Sequence, residues 1–316
     1  CAGVRGCSLP GEEMNQDRHA ADRTSHRSFP GALYFVLFIQ SLLASGTHLV
    51  AKVVVVEVDA FVLTLVRSLI ATVGMGLILL AAGRRISIRK EDYPLVLLLS
   101  FLAVPVNQFL FLVGIRYTTA SNAALLYATT PILVLLISRW LLKERLTRRK
   151  VTGVVLGFLG VMVVIFERGV DASLNNVTGN LIIYVAVIAW GLYTVLGKRL
   201  VHRYGPIHAT SITLILGTVL FLPIGLIPTT QFAFGSLSGS GWLQILYLGL
   251  ITSVVAYMLW YYALGRIEAG KVALFTYLQP ILTTIMAVIL LGQDVTPAFL
   301  IGGTVALGGV IIAQFA

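Results

Sequence analysis

Apolar residues occur in ten long runs separated by short polar stretches. The runs cover approximately residues 31–54, 59–82, 93–115, 119–142, 150–166, 179–198, 207–228, 241–264, 270–291 and 297–315. A helix needs about 20 apolar residues to cross a bilayer core, and it satisfies its own backbone hydrogen bonds there. The runs are too long and too continuously apolar for the strands of a barrel. The pattern therefore predicts an all-α integral membrane protein with ten transmembrane helices.

The amino-terminal segment differs from the rest of the chain. Residues 1–30 contain no spanning run, and we expect a polar cytoplasmic tail without fixed structure. Met14 is a candidate true start, with residues 1–13 as an upstream extension. Both cysteines, Cys1 and Cys7, lie in this segment. Thiol catalysis, cysteine metal sites and disulfides are therefore excluded from the membrane part.

Composition supports a membrane protein, and the charge distribution predicts its topology. Hydrophobic residues make up 58% of the chain, charged residues 11%, and the mean hydropathy is +0.92. With the amino terminus inside, 14 basic residues lie in inward loops and three in outward ones. The inward residues are Arg84, Arg85, Arg89, Lys90, Lys143, Arg145, Arg148, Arg149, Lys150, Lys198, Arg199, Arg203, Arg266 and Lys271; the outward ones are Lys52, Arg116 and Arg168. Basic residues prefer cytoplasmic loops, so we predict that both termini are cytoplasmic and that the net charge of +10 serves topology rather than nucleic-acid binding.

Two prolines mark an internal repeat. Pro131 and Pro280 align at an offset of 149 residues, where "NAALLYATTPILVLL" (122–136) matches "KVALFTYLQPILTTI" (271–285). Each copy holds five helices, and because five is odd the second copy must insert upside down. Inverted repeats with a binding site near the bilayer midplane are a transporter architecture.

These stretches carry a resemblance to a known family. The specific elements are "LVRSLIA" around Arg67, "ALLYATTPILVLLISRWLLKERLT" with Glu144, Trp190 and Gly191 followed by Lys198, and "ALGRIEAGKVALFTYLQPILTTIMAVILLGQ". The chain resembles the drug/metabolite transporter superfamily, specifically the EamA-type permeases. The resemblance implies two tandem EamA domains, at residues 31–166 and 178–316. The chain departs from the family pattern at Ala44-Ser45 and at Gln293, where the family usually has Trp-Gly and Glu.

Each proline of the repeat should bend its helix. Proline removes an intrahelical hydrogen bond and clashes with the carbonyl four residues back. The freed carbonyls need partners such as neighbouring threonines or Gln279, and irregular backbone at membrane depth is tolerated where it lines a cavity. We therefore predict that Pro131 and Pro280 are kinks beside a cavity, although a kink that only shapes helix packing is the alternative.

Polar and aromatic side chains at span depth are the candidate substrate-binding residues. They are Gln40, Ser45, His48, Asn107, Gln108, Tyr127, Thr130, Trp190, Tyr193, Tyr257, Tyr277 and Gln279. In this set one half of the chain supplies mainly amides and the other mainly aromatics. A pocket of this kind suits a small organic solute with an apolar body and a few hydrogen-bonding groups.

Arg67 is the intramembrane charge that the sequence singles out. A central arginine costs about 2.5–3.5 kcal/mol on insertion scales, so such residues point to function. Arg67 could bind an anionic substrate, or it could snorkel or cap a neighbouring helix. No Asp or Glu lies in the middle of any predicted span, so a carboxylate proton relay is missing and a facilitator or exchanger is favoured slightly over a pump.

The sequence as a whole favours transport of small organic metabolites, such as amino acids or related compounds, with export expected and a bacterial cytoplasmic membrane as the location. A non-transporting receptor or scaffold is the alternative. A membrane enzyme is disfavoured because the chain has no HExxH motif and no paired intramembrane carboxylates. We predict no cofactor and no metal. Gly153-x-x-x-Gly157 and Gly302-x-x-x-Ala306 allow close helix approach, either within the chain or in a homodimer.

Overall fold

Ten helices, two of them interrupted, follow one another in the computed structural model, which describes residues 30–83, 87–166, 174–291 and 296–315. In chain order they are α1 (Pro30–Glu57), α2 (Ala60–Ala81), α3 (Lys90–Tyr117), α4 (Ala120–Tyr127 and Thr130–Leu141), α5 (Arg148–Phe166), α6 (Leu174–Tyr204), α7 (Pro206–Gln231), α8 (Gly239–Leu264), α9 (Ala269–Ala273, Leu274–Tyr277 and Leu278–Leu291) and α10 (Pro297–Gln314). Eight of the described helices, all but α5 and α9, are long and apolar enough to cross a membrane. The predicted all-α membrane fold is confirmed.

Contacts divide the chain into two units, residues 1–36 and residues 37–316. In the first unit only the opening turns of α1 are described. The predicted polar tail, the candidate start at Met14 and the unusual Gln293 lie outside the described residues. All packing discussed below belongs to the second unit.

The third helix of each repeat contains a π-helical stretch. In α3 it covers Leu102–Gln108 and includes Pro105, and in α8 it covers Tyr247–Ala256. The two stretches overlap when the repeats are aligned at an offset of 149 residues. A π-helical turn holds an extra residue and is common at functional sites. The sequence pattern predicted ordinary helices here, because apolar runs do not reveal where a turn is widened.

The fourth helix of each repeat is interrupted at its proline. In α4 the first segment ends at Tyr127, and Pro131 occupies the first turn of the second segment, where the missing N–H is not needed. In α9 a 3₁₀ turn, Leu274–Tyr277, precedes the segment that contains Pro280. Each helix therefore changes its hydrogen-bonding pattern at the position where a bend was predicted.

Glycines allow α5 and α10 to touch through their backbones. A Cβ placed on Gly309 would overlap the backbone nitrogen of Gly157, and one on Gly160 would overlap the backbone of Ala306. Small residues let helices approach closely. Such close packing stabilises helix pairs in a bilayer, where no hydrophobic force drives one apolar helix against another. The small-residue faces thus cover each other within the chain, and the predicted homodimer stays a prediction.

Glu144, in the loop after α4, joins the two repeats at a helix end. Its carboxylate lies 3.0 Å from Lys198 Nζ and accepts hydrogen bonds from the backbone N–H groups of Ala269 and Gly270, at the start of α9. Burial alone would raise the pKa of the Glu144 carboxyl. The hydrogen bond and charge of Lys198, helped by the two N–H groups, outweigh burial and hold the pKa below its ordinary value.

Candidate functional site

A cavity of about 70 Å³ lies among seven helices that come from both repeats. It is lined by Gln40, Ala44, Thr47 and His48 of α1, Arg67 of α2, Asn107, Gln108 and Phe111 of α3, Tyr127 of α4, Trp190 of α6, Thr252, Ala256 and Tyr257 of α8, and Gln279 of α9. The π-helical stretches of α3 and α8 contribute four of these residues, Asn107, Gln108, Thr252 and Ala256. The π-helical stretches of α3 and α8 therefore lie beside this cavity.

Asn107 is the centre of a hydrogen-bond network that links the repeats. Its Nδ2 donates to Ala186 O at 2.9 Å and to Tyr127 Oη at 3.0 Å, while its Oδ1 accepts from Tyr257 Oη at 3.1 Å. The carbonyl of Ala186 can only accept, so it fixes the orientation of the amide. Because Tyr127 Oη accepts from Asn107, its own O–H remains available to donate.

Several buried polar atoms at the cavity have no hydrogen-bond partner among the described residues. They are Gln40 Oε1, His48 Nδ1, Arg67 Nε, and both Oε1 and Nε2 of Gln108. Leaving a buried polar group unpaired costs about 1–3 kcal/mol, and each such group in a native structure calls for an explanation. Their convergence on one cavity is explained if a polar ligand or water completes the bonds.

Aromatic rings form much of the remaining wall. His48 meets Tyr127 and Phe111 edge to face, with ring centroids 5.3 and 5.5 Å apart. On the other side, Trp190 lies 5.1 Å from Tyr257 in a similar arrangement. The cavity thus combines apolar surface with a few convergent polar groups, which is the usual make-up of a small-molecule site.

Nine of the residues singled out by the sequence lie together at this cavity. They are Gln40, His48, Arg67, Asn107, Gln108, Tyr127, Trp190, Tyr257 and Gln279. Three of the four amides that line the cavity come from the first repeat, whereas the aromatic rings come from both repeats. Tyr127 and Phe111 come from the first repeat, and the amide of Gln279 comes from the second.

The structure places four other candidates away from the cavity. Ser45 donates to Ser41 O within α1, and Tyr193 hydrogen-bonds Thr213 behind Trp190. Thr130 is fully buried and its hydroxyl has no partner among the described residues. Tyr277, also fully buried, donates to Val154 O at 2.8 Å and packs in a core cluster with α5 and α10. The kink prolines, Pro131 and Pro280, are likewise not among the lining residues.

Five lining residues are not in the predicted set: Ala44, Thr47, Phe111, Thr252 and Ala256. Thr47 and Thr252 pair across the cavity wall, with their hydroxyls 3.0 Å apart. Thr47 stands seven residues after Gln40, and Phe111 stands four residues after Asn107. These spacings put each on the same helix face as a predicted candidate, so their position was a usable signal. Alanine carries no such signal, because small residues occur on every face of these helices.

No metal-binding site is evident in the described part of the chain. There, no group of three or more His, Cys, Asp or Glu side chains could hold a metal ion. Arg67 is the one permanently charged residue among those that line the cavity. The arrangement can bind a small polar molecule.

Comparison with known proteins gives consistent matches over almost the whole chain. Residues 31–166 and 177–315 each match the EamA-like transporter family. The "Uncharacterized transporter YetK" of Bacillus subtilis is 27% identical over 282 residues, which cover 88% of this chain and 86% of that protein. An "Uncharacterized transporter" of Archaeoglobus fulgidus is 30% identical over 286 residues, 88% of this chain and 96% of that protein. A solved structure titled "Crystal structure of protein" has a TM-score of 0.75 at 21% identity and covers 90% of this chain and 96% of its own, which supports the fold alone.

Proposed function

The chain belongs to the EamA-like transporter family, and we propose that it moves a small organic solute across the membrane by way of the described cavity. One observation carries the proposal. Unpaired polar atoms from α1, α2 and α3 converge on a cavity that helices of both repeats enclose. A site between repeats that can rock against each other is suited to alternating access.

The size of the cavity supports a mechanism with moving helices. Its volume of about 70 Å³ is far below the roughly 300–1,000 Å³ of ordinary ligand pockets. A solute of amino-acid size enters only if the walls move apart. The interruptions of α4 and α9 and the π-helical stretches of α3 and α8 are positions where such bending is least costly, because their regular hydrogen bonding is already broken.

We extend the proposal to location on the basis of sequence and kinship, and we retain export as the expected direction. The excess of basic residues in one set of loops favours cytoplasmic termini, and relatives occur in bacteria and archaea. We propose a cytoplasmic membrane protein that exports amino acids or related metabolites. A receptor or an enzyme is less well supported, since membership of a transporter family favours a non-enzymatic protein.

The experiment uses purified protein in liposomes loaded with labelled amino acids and small organic acids, with protein-free liposomes as background. Release is measured with and without a pH gradient, which also separates coupled from facilitated movement. Gln108→Leu removes two unpaired polar atoms from the cavity while keeping the side-chain volume. We expect it to lower release of the transported solute about tenfold, the effect of losing one or two hydrogen bonds.

Gln244→Leu is the matched control. Gln244 also has a buried, unpaired Oε1, but it does not line the cavity. Its substitution should leave release unchanged. If wild type and Gln108→Leu release every solute at the background rate or at equal rates, transport through this cavity is contradicted.

A further inference from the structure

Arg67 is a buried cation with most of its hydrogen-bonding capacity unused. The residue is 2% exposed and lines the cavity. Its Nη2 donates to Ser253 Oγ at 2.9 Å, whereas its Nε has no partner among the described residues. A guanidinium has five N–H donors in a planar fork suited to carboxylates. One described acceptor leaves that fork largely unsatisfied.

No acidic side chain of the described residues neutralises this charge. The four ion pairs found there do not include Arg67. The described acidic residues are Glu57, Asp59, Glu91, Asp92, Glu144 and Glu268, and all lie at helix ends or in loops. A buried charge is stable only when it is paired or hydrogen-bonded. Among the described residues, the charge of Arg67 therefore lacks a countercharge, and a bound anion would supply one.

Two neutral hydrogen-bond donors at the cavity are also available to an anionic ligand. Asn107 fixes Tyr127 as a hydrogen-bond acceptor, so the Tyr127 O–H remains free to donate. The Gln108 side chain adds an unpaired Nε2. Arg67, Tyr127 and Gln108 all line the cavity, and together they offer one positive charge and neutral donors, which is the chemistry that recognises an oxyanion.

A purely structural role explains less of this arrangement. The bond to Ser253 ties α2 to the π-helical stretch of α8, and Ser253 in turn donates to Leu248 O at 2.8 Å. That tie needs a single N–H and no charge. The bond to Ser253 accounts for neither the charge of Arg67 nor its unpaired Nε at the cavity, whereas an anionic ligand accounts for both.

We propose that Arg67 binds the carboxylate of the transported solute, so that the substrates carry one carboxylate on an apolar or aromatic body. The single cation at the cavity matches a single negative charge, whereas a phosphate group carries about −1.5 to −2 near neutral pH. The aromatic walls of Trp190, Tyr257 and Phe111 suit the body of such a solute. This inference rests on the proposed function and assigns its substrate class.

The test compares matched ligands on the purified full-length protein. The probes are benzoate and 3-phenylpropionate, their neutral amides, and inorganic phosphate, with binding measured by calorimetry. We expect wild type to bind the carboxylates at least about tenfold more tightly than the amides, which corresponds to about 1.4 kcal/mol. Equal affinity for carboxylates and amides, tighter binding of phosphate, or no binding of either carboxylate overturns the proposal.

Variants of Arg67 sharpen the result. Arg67→Gln should abolish the preference for carboxylates over amides, and Arg67→Lys should keep part of it because the charge remains. Arg116→Gln is the control, since Arg116 is an exposed arginine paired with Asp59 at 2.8 Å. A preserved preference in folded Arg67→Gln overturns the proposal. If that variant does not fold, the comparison of ligands on wild type decides alone.

The liposome assay separates this proposal from the proposed function. Movement of solutes that lack a carboxylate, with no preference for carboxylates, leaves transport standing and removes the role of Arg67. Tight binding of carboxylates without movement of any solute would support the role of Arg67 and contradict the proposed transport. In that case the anion subsite stands and transport fails.

Discussion

The helices α4 and α9 share a backbone design but differ in what they present to their surroundings. Each is interrupted at a proline, and in each a threonine donates to the carbonyl three residues back, Thr129 to Leu126 O at 2.7 Å and Thr276 to Ala273 O at 2.8 Å. These bonds provide partners for carbonyls near the interruption. The repeat therefore reproduces the bend together with its local hydrogen bonding.

The side chains do not repeat in the same way. Tyr127 stands four residues before Pro131, whereas Tyr277 stands three residues before Pro280. A shift of one residue turns a side chain by about 100° around an α-helix. Tyr127 lines the cavity, while Tyr277 packs against Gly157 and donates to Val154 O. Related backbones can thus carry a site residue in one copy and a core residue in the other.

The largest effect is expected from truncating the two tyrosines. Tyr277→Ala empties a fully buried position and should lower the free energy of unfolding by about 3–5 kcal/mol. Tyr127→Ala affects a half-buried side chain at the cavity and should reduce solute release more than stability. Thermal unfolding in detergent and the liposome assay measure the two properties. Equal losses of stability in both variants would erase the distinction.

A second test concerns the room that Gly157 leaves for Tyr277. A Cβ on Gly157 would stand 2.6 Å from the Tyr277 ring, so Gly157→Ala should cost about 1–3 kcal/mol by overpacking. In the Tyr277→Ala background the same change should cost less, which a double-mutant cycle detects. Gly308→Ala is the control, because a Cβ there meets nothing within 4 Å. Additive losses would show that the two positions are not in contact.

Glu144 connects the end of α4 to the start of α9, and its removal should have an intermediate effect. Glu144→Gln loses the pairing with Lys198 and weakens the bonds to Ala269 and Gly270, which should cost about 1–2 kcal/mol at neutral pH. The pKa of the carboxyl is lower in the folded protein. Its contribution is therefore complete above the ordinary pKa and is lost as the pH falls through the folded value.

Thermal unfolding of wild type and Glu144→Gln across the acidic range tests this linkage. The two proteins should differ at neutral pH and converge at low pH, once the wild-type carboxyl is protonated. Glu91→Gln is the comparison variant, because Glu91 is exposed and takes part in none of the four ion pairs among the described residues, so its charge should contribute little. A constant difference at every pH would refute the pairing.

The smallest effect is expected at Thr130. This residue aligns with Gln279 at the repeat offset, yet its hydroxyl is buried and unpaired among the described residues. Thr130→Val keeps the shape and removes the unpaired group, so stability should change by less than about 1 kcal/mol and release should stay the same. Gln279→Leu alters the cavity itself and should reduce release. A transport defect in Thr130→Val would place it in the solute path.

The positions of the helices could be predicted from the sequence, because the hydropathy of a span is a property of many consecutive residues. Long apolar runs and repeated prolines located the helices and their interruptions because lipid demands continuous apolar surface. The candidate residues Asn107, Gln108 and Tyr257 were identifiable as polar or aromatic groups at span depth. Tyr277 was selected by the same criterion of depth in the span, which takes no account of its spacing to the proline or of the direction in which the side chain points.

The sequence by itself determined the membrane class, the ten helices, the twofold repeat and the position of most polar groups along the chain. Only the tertiary structure decided which of those groups meet. That outcome depends on helix rotation, on π-helical widening of α3 and α8 and on the close glycine contacts of α5 and α10. Hydropathy is summed along the chain and is insensitive to rotation, whereas a binding site is built from side chains that several helices turn toward the same point.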